Sequence, residues 1–75
     1  MGSKYPVLPP NDIIRVLRKY SFEKVSQKGS HAKYKNNSEP VKIVIIPMHS
    51  EIQKGTLKSI LLQADIDIDE FLRNL

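Results

Sequence analysis

The chain has 75 residues, with 12 Lys and Arg against 8 Asp and Glu for a net charge of +4, and no cysteine. This length holds one small domain with a two-layer core and no deep cofactor cleft. Without cysteine there are no disulfides or thiolate metal sites. The longest apolar run, Ile43 to Ile46, is far short of the roughly 20 residues a membrane helix needs. No charged-then-apolar leader opens the chain, so a cytoplasmic domain with no membrane contact is expected.

Residues 1–10 contain Pro6, Pro9 and Pro10 and read as a flexible leader, too rich in proline for a helix or central strand. Asn11 is placed to cap a helix over 11–20, with Asp12 in its first turn. Ile13, Ile14 and Leu17 share one stripe of that helix, while Arg15, Arg18 and Lys19 fall mostly on the other side. The period then changes. Residues 23–28 and 31–35 alternate around Gly29-Ser30, the signature of a hairpin. Residues 36–40 form a second turn, and 41–46 are the most β-prone stretch, closed by Pro47. A helix over about 54–64 buries Leu57, Ile60, Leu61 and Ala64. Residues 65–75 form an acidic tail or a short last helix, with Phe71, Leu72 and Leu75 on its apolar side. The expected fold is α+β, in the order α-β-β-β-α. It is a single domain over 1–75, with a three-stranded antiparallel sheet and both helices on one face.

Opposed residues in a hairpin sum to a constant, so the turns predict register. A Gly29-Ser30 loop sets Lys28 opposite His31, Ser26 opposite Lys33 and Lys24 opposite Lys35. A second turn centred near Ser38 sets Lys35 opposite Lys42 and Lys33 opposite Val44. Val25, Ala32, Tyr34, Val41, Ile43 and Ile45 then form the core side. Lys24, Ser26, Lys28, His31, Lys33, Lys35, Lys42, Val44 and Ile46 form the other, with Glu23 pointing away from it. Lysines on exposed strands also guard against aggregation, but five on one face without an interspersed acid favour a polyanion-binding surface. Charge along the chain agrees: residues 1–64 hold 11 basic and 4 acidic side chains, and the tail is acidic.

His31 and His49 are the two histidines, and the antiparallel order puts both at one end of the sheet. Imidazole is the side chain that ordinarily titrates near neutrality. Beside a phosphate-attracting face it can take a proton from a ribose 2′-hydroxyl or give one to a leaving 5′-oxygen. By position alone a surface histidine is more often incidental. No metal site is read, because two histidines and scattered carboxylates lack ligand spacing. No glycine-rich phosphate loop or nucleophile elbow is present, and no cofactor is expected.

Three motifs occur in order: Lys28-Gly29-Ser30-His31 followed by Lys33-Tyr34, then Ile46-Pro47-Met48-His49, then Lys54-Gly55-Thr56-Leu57-Lys58-Ser59-Ile60-Leu61. Together they resemble the HicA family of toxins over roughly residues 10–72. The resemblance implies a fold like a double-stranded RNA-binding domain and a metal-independent endoribonuclease that cleaves mRNA and arrests translation. It assigns catalysis to the histidine of the Gly-Ser-His triplet, here His31, and implies a HicB-type antitoxin that masks it. His49 is either an auxiliary acid/base or a structural loop histidine. Ser21 stands where many members have glycine. The candidate RNA-binding residues are Lys24, Lys28, Ser30, Lys33, Lys35, Lys42, Lys54 and Lys58, with Thr56 a candidate cap for the second helix. The alternative function is a non-catalytic RNA-binding module of the same fold, for which a histidine beside the glycine turn has no evident use.

Overall fold

A computed structural model describes residues 4–75; the first three residues of the expected leader lie outside them. The first helix, α1 (Pro10–Lys19), starts one residue earlier than its periodicity suggests. Pro10 occupies the first helical position, where its fixed φ suits the helix and its missing N–H costs nothing. Pro9 takes the cap position, so Asn11 lies inside the helix rather than capping it. Ile13, Ile14, Val16 and Leu17 are buried. After Tyr20 the chain turns through Ser21 at φ +67°. The Ser21 N–H donates to the Arg18 carbonyl and the Phe22 N–H to that of Leu17, both at 3.1 Å. This is the paired bonding of a left-handed helix ending that glycine adopts without strain. Ser21→Gly is therefore expected to raise stability by about 0.5–1 kcal/mol, read as an increase of a few degrees in Tm.

Strands β1 (Glu23–Lys28), β2 (His31–Asn36) and β3 (Lys42–Pro47) form an antiparallel sheet in the order β1-β2-β3. Helix α2 (Lys54–Ala64) follows, then a short α3 (Ile68–Arg73). This is the α-β-β-β-α order of a double-stranded RNA-binding-domain-like fold with one extra turn of helix. Gly29 (φ +59°) turns the first hairpin, and Lys28 faces His31 as expected. Two details of the register differ from the sequence reading. The second connection sets Asn36 opposite Lys42 and Lys33 opposite Ile45, one residue away from the predicted pairing. A one-residue slip turns over a whole strand. Val44 and Ile46 therefore lie in the core with no exposed surface, while Val41, Ile43 and Ile45 are 52%, 44% and 41% exposed. In β1 the register shifts between Lys24 and Ser26, so Lys24 opposes Tyr34 and Glu23 opposes Lys35. Val25 belongs to this bulge and is exposed rather than in the core.

Ala32, Tyr34, Val44 and Ile46 supply the sheet's side of one core, packed with the α1 stripe, Leu57, Ile60, Leu61, Ala64, Phe22 and Phe71. The buried Asn36 is satisfied: its Nδ2 donates to the Tyr20 carbonyl at 2.6 Å and its Oδ1 accepts from the Ser38 N–H at 2.7 Å. Gln53, not Thr56, takes the N-cap position of α2, without a side-chain capping bond, and the helix ends on Asp65 at φ +58°. Asp67 caps α3 through the Asp69 N–H. In the segment read as a leader, Leu8 exchanges two backbone hydrogen bonds with Ile52, and Lys4 pairs with Asp69 at 2.9 Å. That hydrogen bond and charge hold the Lys4 ammonium above its usual pKa.

Candidate active site and nucleic-acid interface

Helices cover one face of the sheet, and the opposite face is open. On it β2 presents His31, Lys33 and Lys35, alternating with buried Ala32, Tyr34 and Asn36. Pairing sets Lys28 and Pro47 beside His31, Ser26 and Ile45 beside Lys33, and Glu23 and Ile43 beside Lys35. His31 lies with Ser26, Lys28, Lys33 and Ile45 around one shallow depression. The tight Gly29-Ser30 turn fixes the histidine's place, since it is the first residue of β2 and the closing partner of Lys28. It is exposed.

The open face is therefore part cationic and part aliphatic, not a uniform lysine field. Lys28, Lys33 and Lys35 lie on it, and among the described residues they make no side-chain hydrogen bond or ion pair. Glu23 shares the face, contrary to the sequence reading. Lys42 does not share it. It opposes buried Asn36, and its half-buried ammonium lies 3.9 Å from Asp65. The bulge also carries Lys24 to the helix side, where its Nζ bonds Gln27 Oε1. Lys54 and Lys58 are exposed on α2, and Lys58 borders a separate depression with Leu61, Leu62 and Asp65. Ser30 is half-buried in the turn, and its carbonyl accepts from the Met48 N–H at 2.6 Å.

His31 and His49 lie at the same end of the sheet, because His31 opposes Pro47. They line different depressions. His49 sits with Pro47, Ser50, Glu51 and Thr56, and its Nδ1 lies 3.2 Å from the Ser50 hydroxyl. Among the described residues no three histidine or carboxylate side chains gather as a metal site, and no helix is long and apolar enough to cross a membrane.

A family model described as the HicA toxin of bacterial toxin-antitoxin matches residues 10–66. The chain belongs to the HicA toxin family. No curated protein matches it significantly. The matched span runs from the start of α1 through the left-handed end of α2, so it includes the whole sheet and both histidines. In this HicA toxin, Ile45 is the neighbour of His31 that sequence reasoning missed. The missing signal was the length of the β2–β3 connection, which decides whether Ile45 or Ile46 lies on the same face of the sheet as the histidine.

Proposed function

We propose that this toxin is a metal-independent endoribonuclease that cleaves mRNA, with His31 as the group that moves the proton, and so arrests translation. The observation that carries this reading is the exposed imidazole at the head of β2, in a depression shared with two unpaired ammonium groups, Lys28 and Lys33. Such ammonium groups draw in a phosphodiester and offset the charge that builds on its oxygens in the transition state. His31 takes the proton of a ribose 2′-hydroxyl. The 2′-oxygen bonds to phosphorus, the P–O5′ bond breaks, and the 5′-oxygen takes a proton from water in this open site. The products are a 2′,3′-cyclic phosphate and a 5′-hydroxyl. Purified toxin is expected to cleave RNA in EDTA and leave those ends; binding without cleavage supports the non-catalytic module instead.

The partner in this reading is a HicB-type antitoxin that lies over the open face and masks His31. The exposed Ile43 and Ile45 beside Lys33 and Lys35 suit a surface that is apolar at its centre and acidic around it. In the complex, His31 is expected to resist modification by diethyl pyrocarbonate that labels it in the free toxin. Ile45→Asp is expected to weaken binding at least tenfold. Equal labelling of His31 in both states would place inhibition elsewhere.

A further inference from the structure

The bulge in β1 does something that the open face does not use. A regular hairpin would set Lys24 opposite Lys35, but the shift between Lys24 and Ser26 sets it opposite Tyr34. Its side chain thereby leaves the open face and joins α1. There Arg15, Arg18 and Lys24 border a groove whose floor is Ile14, Tyr34 and Met48. Bulges commonly re-aim a side chain in this way.

The groove is cationic and largely uncommitted. Arg15 and Arg18 are three residues apart on α1, hence on neighbouring positions of one helix face. One nitrogen of the Arg15 guanidinium meets Asp12 Oδ1 at 3.1 Å, which leaves its other donors available. Arg18 makes no side-chain hydrogen bond or ion pair among the described residues. Lys24 meets only the neutral Gln27 amide. Three cations thus border the groove, the nearest carboxylates being Asp12, which pairs with Arg15, and Glu23, which lies in the adjoining depression with Arg18 and Lys24. One end of the groove reaches the catalytic hairpin, since the Met48 N–H is bonded to the carbonyl of Ser30, the residue before His31.

We infer that the groove between α1 and the β1 edge is a second RNA site, which holds phosphodiesters of the strand away from the bond being cut. The inference rests on the ribonuclease reading and extends it. RNA cut at His31 passes over the β1 edge to the helix side, where forked guanidinium groups and Lys24 hold its phosphates. The site recognises backbone charge, so it adds affinity without sequence preference. It lies on the opposite side of the sheet from the face assigned to the antitoxin.

The test uses the full chain carrying His31→Ala, so that RNA stays whole, with and without Arg15→Gln, Arg18→Gln and Lys24→Gln. Binding to an unstructured oligoribonucleotide of about 20 nucleotides is measured by anisotropy at several salt concentrations, with circular dichroism to confirm folding. Loss of three phosphate contacts is expected to lower the slope of log K against log salt by about 2 and to weaken binding at least tenfold at low salt. In the active toxin the triple variant is expected to keep the wild-type rate on a dinucleotide while losing kcat/KM on long RNA. A Lys24→Glu variant, which changes one edge side chain, is expected to show the same split. Unchanged affinity and slope in a parent that does bind RNA would overturn the groove and leave the ribonuclease reading standing. Loss of antitoxin binding with RNA binding intact would also overturn it, by making the groove a protein contact. If His31→Ala still cleaves but the triple variant loses affinity, the groove stands and the catalytic assignment falls.

Discussion

Replacing His31 by alanine is expected to abolish RNA cleavage and growth arrest while the protein stays folded and still binds RNA. The side chain is exposed, so its removal opens no cavity, and surface substitutions of this kind usually change stability by less than about 0.5 kcal/mol. Its hydrogen-bonding capacity is unused by the fold, since among the described residues it makes no side-chain hydrogen bond. General acid–base groups contribute roughly 10²- to 10⁴-fold to rate, so the variant should fall by at least about a hundredfold. His49 is a useful contrast. It lines a different depression and lies beside the Ser50 hydroxyl, so His49→Ala should slow cleavage modestly or leave it unchanged. The assay is RNA cleavage in EDTA by wild type and both variants, with circular dichroism alongside. A folded His31→Ala protein that cleaves at the wild-type rate would end the catalytic assignment and favour the binding-module reading.

Ile46→Ala is expected to destabilise the protein by about 2–5 kcal/mol, a large share of the roughly 4–11 kcal/mol that a domain of this size typically has. Ile46 has no exposed surface and lies opposite Ala32 in the layer between sheet and helices, so truncation leaves a void the helices cannot fully close. Its neighbour gives the control. Ile45 is 41% exposed on the open face, and Ile45→Ala should cost less than about 1 kcal/mol. Urea unfolding of the two variants decides between the registers. The opposite order of effects would mean that β3 pairs one residue away, as the sequence reading had it.

That reading failed at β3 for a definable reason. Both alternating sets of the strand are rich in aliphatic side chains, Val41, Ile43 and Ile45 on one side and Val44 and Ile46 on the other, so hydrophobicity could not choose between them. Only the length of the connection after Asn36 could, and Asn, Ser, Glu and Pro in a row are compatible with more than one loop. By contrast, β2 was legible because His31, Lys33 and Lys35 alternate with Ala32 and Tyr34, and α2 because its stripe of Leu57, Ile60, Leu61 and Ala64 has one reading. The end of α2 was read at Ala64, where it lies, and that of α1 one residue late, although neither is marked by glycine: Ser21 and Asp65 take the left-handed positions instead. The β1 bulge was invisible. No glycine or proline marks it, and it shows only in the partners of Lys24 and Ser26. Of the candidate site, the position of His31 beside Lys28 and Lys33 was legible from the turn alone. Lys42 and Lys24 were misplaced because each depended on a register the sequence left open.

Among the described residues β3 pairs with β2 on one side only, and the exposed Ile43 and Ile45 of the strand, with Val41 just before it, lie next to that open rim. Free backbone donors beside an aliphatic row invite another copy to add its own strand. Mutual repulsion between the positive charges of two copies opposes that addition, and it weakens where the charge vanishes, near pH 9.5, or where salt screens it. Uncomplexed toxin is thus expected to be least soluble in alkaline, salty buffer, and an antitoxin laid over the open face as proposed would also cover this aliphatic row.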